Sequence, residues 1–456
     1  MSNNKNKSSN KNAVAFEGLE NRQMMAGNPL TTGTVAYNGG TQLVVTGTNY
    51  NDSIGISQVT GGVLLTNGKW STTVAGNFNS VSVLAGRGND VVTVNRKTTL
   101  PAFIYGGLGN DTINGGAGHD KLYGQGGTDV VYGNGGNDTI VSVGDATNDL
   151  SYGGDNDDSF WVDATEKTDA TTAETKAGNF HKVTAFNSYN TTSRGVVRTN
   201  RVSTNLSGDN LADPLVTKGV TYTNFSKNPL FGAAGPTADD IAQGYVGDCW
   251  YLASLSAIAK ANPNAIRQSV VELGDGTYAV QFANANGTKA FVRVDGDLPT
   301  NGYGMEYADL GKNNSVWVAI MEKAYATFRE QGAVANYANL DGGWMDEAFA
   351  DLGMPSFSKW SSSNADELLN WLAAELDAGR AVTLAINTAK NGAPVIGCHA
   401  YSVAAVETSS NGTRTLVLRN PWGIDGAGND GKNDGYVRLN ATQALNSTWA
   451  AISAKV

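Results

Sequence analysis

Apolar positions along this chain fall into three regimes. From residue 28 to about 165, short runs of Val, Ile, Leu and Thr such as QLVVTG (42–47) and SVSVLAG (80–86) are interrupted every few residues by glycine or asparagine. Brief alternation punctuated by turn formers predicts many short β-strands. From about 223 to 456 the pattern is mixed. Helical periodicity runs through WYLASLSAIAKA (250–261), VWVAIMEKAYATF (316–328) and ADELLNWLAAELDAG (365–379), and extended runs occur at YAVQFAN (278–284), AFVRVDG (290–296), AVTLAIN (381–387), YSVAAVE (401–407) and TLVLRN (415–420). That combination predicts an α+β domain. Residues 166–222, rich in Thr, Asn, Ser, Lys and Arg without a period, read as a polar linker. Residues 1–12 are polar and lysine-bearing and read as disordered.

Composition sharpens the first regime. Residues 28–165 hold 26 of the 56 glycines, and within them a nine-residue unit recurs without a gap: GGLGNDTIN (106–114), GGAGHDKLY (115–123), GQGGTDVVY (124–132) and GNGGNDTIV (133–141). Looser relatives stand at 49–56, 86–94 and 153–161. Each unit follows G-G-x-G-x-D-x-U-x with U apolar, the signature of a parallel β-roll in which glycines turn the chain and U points inward. Two units make a coil, so Asp111 stacks on Asp129 and Asp120 on Asp138 at a strand spacing near 4.8 Å. Two unit charges at that distance repel by about 0.9 kcal/mol in water and about 3.5 kcal/mol at an effective dielectric of 20, a cost that a cation removes. Ten Asp against one Lys between 100 and 165 leave a local charge of −9, nearly the whole net charge of −10. Carboxylate and carbonyl oxygens are hard ligands suited to Ca²⁺. The run resembles the calcium-binding repeats of RTX proteins, which implies Ca²⁺ held by Asp111, Asp120, Asp129 and Asp138. His119 occupies a variable position and is expected at the surface.

The net negative charge disfavours nucleic acid and anionic membrane surfaces as partners, and no run approaches the roughly 18 apolar residues of a membrane span. Two cysteines, Cys249 and Cys398, are too few for a disulfide scaffold. Near the N-terminus, AVAFEGLENRQMMAG (13–27) resembles the short FExLExR-plus-apolar-pair segment of some bacterial surface or exported proteins. Phe16, Leu19, Glu20, Arg22, Met24 and Met25 stand at the matching places, with Asn21 where proline is usual. This implies export, and the chain is expected to be secreted or held at the cell surface.

Chemistry concentrates in the last regime. In QGYVGDCWYLASLSAIA (243–259), Asp248 is placed to cap a helix and Cys249 to open it, where N–H groups favour a thiolate. A histidinium beside it would lower the thiol from about 8.5 into the range of roughly 3.5 to 7.5. A small buried structural cysteine is the alternative. His399, in GCHAYSVAAVE, starts an apolar strand, and Asn420 ends another before Pro421, Trp422 and Gly423. An Asn that accepts from one ring nitrogen frees the other to take the thiol proton.

Here the chain resembles the catalytic core of the calpains. LFG (230–232), QGYVGDCWYLASL, LPT (298–300), VWVAIMEKAYA (316–326), the glycines at 342 and 343, CHAYSV, RNPWG and DGYVRL recur in family order. The resemblance implies Cys249 as nucleophile, His399 as general base and then acid, Asn420 as orienter and Gln243 as an oxyanion-hole donor; Glu322 to Tyr325 read as helix packing. It also implies core calcium sites on acidic loops that do not align residue by residue; Asp425, Asp430 and Asp434 in the loop 424–435 are either such a site or a solvated turn. Cys398 stands where the family usually has glycine, and its nearness to His399 suggests an oxidative pairing with Cys249.

The resulting expectation is a multidomain chain: 1–27 disordered with an export-like motif, 28–165 an all-β parallel β-roll with Gly-rich repeats, 166–222 a polar linker, and 223–456 an α+β papain-like two-lobed protease core. Its function would be calcium-dependent or calcium-stabilised endopeptidase action on protein substrates. The alternatives are a calcium-binding adhesion protein with an inactive protease-like domain, or a transglutaminase-like acyltransferase, against which Asn420 argues.

Overall fold

The computed structural model describes residues 29–456 except 145–146, 188–189, 194–195, 200–205, 207, 209, 330–333, 361 and 429–430. The export-like motif lies outside the described residues. The chain forms two compact units, essentially Gly40–Glu174 and Thr175–Val456. The described residues contain no helix long and apolar enough to cross a membrane.

The first unit is a parallel β-roll of two facing sheets. One runs through Gly40–Thr46, Ser80–Arg87, Ala102–Leu108, Lys121–Gly126, Thr139–Val141 and Ser159–Asp163. The other runs through Leu150–Asp155, Val130–Gly135, Thr112–Asn114, Val91–Val94 and Ser53–Val59, and the antiparallel strands Gly62–Asn67 and Trp70–Ala75 extend it. Leu122 pairs with Ile104 and Ile140, and Val131 pairs with Ile113, so two repeats complete one coil. Ile113, Leu122, Val131 and Ile140 are fully buried between the sheets. At Gly107 and Gly136 the turns need φ of +105° and +112°, and a Cβ would strike the Gly86 or Gly118 carbonyl of the rung below. The looser repeats supply complete rungs on both sides of the four strict copies.

The second unit is α+β. A buried helix, Cys249–Ala261, packs beside the helix Trp317–Phe328 and a three-stranded sheet formed by Val270–Glu272, Thr277–Ala283 and Lys289–Asp295. A six-stranded antiparallel sheet carries Ala381–Ile386, His399–Thr408 and Arg414–Arg419 at its centre, backed by the amphipathic helix Ala365–Asp377. The Cys249 helix crosses onto this sheet, where the Ser256 and Ser402 hydroxyls meet at 2.9 Å. Two hydrophobic cores therefore flank one seam, and the nucleophile candidate starts the helix that lies along it.

The segment expected as a linker does not behave as one. Its described part from Thr175 onward belongs to the second unit. His181 is fully buried between Gln281 and Gln268 at 2.9 and 3.0 Å, and Asp213 joins Asp295 in gripping the buried Lys323. Burial lowers the His181 pKa to about 4, keeping the ring neutral. Contacts made one residue at a time by polar side chains leave no hydrophobic period to read.

Candidate active site and cation ladder

Cys249 opens its helix at the edge of a cleft of about 520 Å³, whose wall also includes Gln243, His399, Trp422, Trp344 and Trp449. His399 begins its strand with its Nε2 2.9 Å from Asn420 Oδ1. Asn420 is fully buried and its amide orientation is fixed twice: Nδ2 donates to the Asp425 carbonyl and the Trp422 N–H donates to Oδ1. A carbonyl oxygen can only accept, so Nε2 carries the proton and Nδ1 is left as the acceptor. The Trp422 ring centre lies 4.9 Å from that of His399, and Tyr401 stands edge-on at 5.0 Å. Burial lowers the His399 pKa, against the Asn420 hydrogen bond.

Two expectations need correction. Cys249 makes no hydrogen bond to the His399 ring among the described residues, and burial, reinforced by the Asp248 charge, pushes its thiol up to about 11 rather than down. The helix N-terminus and the Ala400 N–H do not outweigh the loss of water, and without an imidazolium partner the sulfur is a thiol. Asp248 makes no side-chain cap; its carboxyl is turned inward and wholly buried. Gln243 lines the cleft, but its Nε2 donates to the Val246 carbonyl at 2.6 Å.

Other candidates resolve simply. Asp425 braces its loop, receiving Gly435 N–H on Oδ1 while its own N–H reaches Asn433; Asp434 only accepts from Tyr436 N–H, and Asp430 lies outside the described residues. Cys398 is exposed with φ +50°, which explains why glycine suits that place, and it lines the same cleft as Cys249. Sequence reasoning missed Trp344 and Trp449, packed edge to face at 4.7 Å, and Glu322, which faces Asp248 instead of serving only as packing. A glutamate inside the apolar run VWVAIMEKAYATF was the available signal.

On the roll, the aspartates form two ladders. Asp52, Asp90, Asp111 and Asp129 each send their N–H to Oδ1 of the next rung's aspartate, at 2.7, 2.8, 2.7 and 2.8 Å, ending at Asp149. Opposite, the N–H groups of Ala102, Asp120, Asp138 and Asp158 go to Asp120, Asp138, Asp158 and finally Glu174. An outer row of Asn side chains repeats the device, and His119 takes one place in it, its Nδ1 accepting Asn137 N–H at 2.7 Å. His119 is exposed, as expected, but it is not idle.

These carboxylates fit a hard cation. The Oδ2 atoms of Asp90, Asp111, Asp138 and Asp158 are buried without a hydrogen-bond partner. Each turn glycine leaves a hollow beside them: a methyl at Gly106 would lie 2.6 Å from Asp111 Oδ2 and 2.7 Å from the Gly124 carbonyl. No three acidic, His or Cys side chains gather at one point among the described residues, so a cation here would take most of its oxygens from the main chain. Asp120 differs, with both oxygens already accepting, from Ala102 and Gly116. Burial raises Asp138 to about 8, Asp90 and Asp158 to about 7 and Asp120 to about 6.

Comparison with known proteins agrees with both halves. Residues 220–433 match the model of the calpain family of cysteine proteases, and residues 105–140 match four copies of the RTX calcium-binding nonapeptide repeat. Calpain clp-4 of Caenorhabditis elegans is 32% identical over 226 residues, covering 46% of this chain and 30% of that relative. The Calpain-1 catalytic subunit of Rattus norvegicus is 31% identical over 221 residues (44% and 30%), and the Calpain-2 catalytic subunit of Homo sapiens 29% over 227 (45% and 31%). The chain thus spans about 30% of the length of these curated relatives. It carries a calpain-family cysteine protease domain preceded by RTX calcium-binding repeats.

Proposed function

We propose that the second unit is a cysteine endopeptidase and that Ca²⁺ orders the roll before it. The observation that carries the first part is a histidine tautomer fixed by a buried Asn420, on the wall of the same cleft as a cysteine at a helix N-terminus. For catalysis, Nδ1 of His399 must approach Sγ to roughly 3–3.5 Å, giving a thiolate and imidazolium. The thiolate attacks the peptide carbonyl, His399 returns the proton to the leaving amine, and water releases the acyl-enzyme. The Cys249 N–H and one Gln243 N–H would hold the oxyanion; Nε2 has a second hydrogen beyond the one given to Val246. Gln243→Ala is therefore expected to lower kcat by about 10²–10³-fold, or about 2.7–4 kcal/mol, in steady-state assays.

Asp111, Asp120, Asp129 and Asp138, with turn carbonyls, would hold the calcium, and the unpartnered oxygens extend the same reading to Asp90 and Asp158. Calcium modules that work near 10⁻⁴ to 10⁻³ M suit a secreted or surface setting. In Gly133→Ala the new methyl falls against Asp138 Oδ2 and 2.5 Å from the Gly153 carbonyl, so titration calorimetry should count about one Ca²⁺ fewer than in the parent. Casein hydrolysis by the full chain with Ca²⁺ and a thiol reductant tests the whole reading. Silence under every such condition would favour the adhesion protein with an inactive protease-like domain.

A further inference from the structure

Directly beneath the candidate nucleophile, two carboxyl groups meet without a counter-ion. Asp248, the residue before Cys249, is fully buried, and Glu322, in the middle of the helix Trp317–Phe328, is almost so. Their side chains lie within hydrogen-bond reach of each other. The Ala308 N–H donates to both Glu322 oxygens, at 3.2 and 3.1 Å. Neither Asp248 oxygen meets a donor at hydrogen-bond geometry, although the Gln243 amide lies close enough to favour the charged form. The neighbouring Lys323 is turned away to Asp213 and Asp295. The other groups facing the pair make matters worse: Asp341 adds negative charge beside Asp248, and the Tyr251 and Tyr337 hydroxyls and the Cys249 thiol are themselves acids.

Two adjacent carboxylates in so dry a place cannot both be ionised, and two ionised groups could not hydrogen bond, since both only accept. We propose that Asp248 and Glu322 hold one proton between them, and that the resulting O–H···O bond makes them the positioning residues of the nucleophile, tying the start of the Cys249 helix to its neighbour. The proton belongs to the pair and not to either residue. Burial raises both groups above their ordinary values, and the Asp248 carboxyl raises Glu322 further. Groups raised in the folded state stabilise it below their unfolded pKa, and that contribution disappears as pH rises through the folded value. Loss of the shared proton also sets a second anion beside Cys249 and disfavours its thiolate. The structure thereby assigns an alkaline limit to thiol reactivity that does not come from the imidazole.

The proposal deepens the thiol-protease reading and rests on it for any effect on catalysis, but its test is thiol chemistry. Full-length protein with Ca²⁺ is treated with iodoacetamide between pH 6 and 10, and labelling of Cys249 is separated from that of Cys398 by peptide mapping. Melting temperature is followed in parallel. Glu322→Ala leaves Asp248 a lone buried charge and should slow Cys249 labelling about tenfold at pH 8 while lowering the melting temperature. Glu322→Gln keeps a permanent donor to Asp248, so it should restore both and flatten the fall of stability and labelling at alkaline pH; Asp248→Asn should do the same. If Glu322→Gln behaves as Glu322→Ala, or if the parent and Glu322→Gln share one pH profile, the shared proton is wrong. Normal labelling profiles without casein hydrolysis would instead remove the protease reading and leave the pair intact.

Discussion

Cys249→Ala is expected to abolish casein hydrolysis by the full chain, with a loss of roughly 10⁴-fold or more, because on the proposed mechanism without sulfur there is no acyl-enzyme and His399 has no proton to take. Cys398→Ser, in the same cleft but with an exposed side chain whose sulfur makes a 3.7 Å contact to the Asn387 carbonyl, should retain activity. The pair of variants, compared by release of acid-soluble peptide, separates nucleophile from bystander. Equal activity in Cys249→Ala and the parent would end the proteolytic assignment. Burial pushes the thiol up to about 11, so on the proposed mechanism little thiolate would form without the His399 ring beside it.

Removing calcium is the second large effect. With EDTA at pH 8 the roll is expected to lose most of its β-signal in circular dichroism, while the metal-free chain at pH 5 should keep more of it. The sign follows from the ladders. Asp138, Asp90 and Asp158 have folded-state values of about 8, 7 and 7, above those of a free carboxyl. Such groups stabilise the metal-free fold only while protonated, and that stability falls as pH rises from about 4 to 8. Burial is the largest cause of each rise, so the ladders carry a charge cost in the metal-free fold at pH 8 that protonation at pH 5 relieves. Bound calcium would take the place of the protons, and one site filled to a hundred times its Kd would add about 2.7 kcal/mol. Calcium affinity should weaken as acid restores the protons. A metal-free roll equally folded at pH 5 and pH 8 would contradict this.

What was readable in advance had local causes. The nonapeptide carries its own coil length, and Leu122 pairing with Ile140 shows that two units make a turn. Cys249, His399 and Asn420 each sit in a short motif at an element end, so the Cys249 helix and the His399 strand could be placed from sequence. What was hidden depends on contacts between distant segments. Glu322 looks like one polar residue in an apolar helix until Asp248 is folded against it, and Asp425 reads as loop chemistry until its carbonyl takes the Asn420 amide. His181, in a stretch without period, is buried by two glutamines far along the chain. The direction of the thiol shift was misjudged because a helix terminus can be seen in sequence and the depth of burial cannot.

The N–H of each aspartate is committed to the rung that follows it. Each strand already pairs with the rung before it, but its aspartate N–H has no partner until its successor is present, so damage at one level reaches both neighbours. Replacing Asp129 should unfasten Asp111 as well as its own turn, and ordering should spread rung by rung in a line. The roll is in this sense a zip, and on the proposed reading its graded closure would give the chain a response to calcium that is stepped along its length.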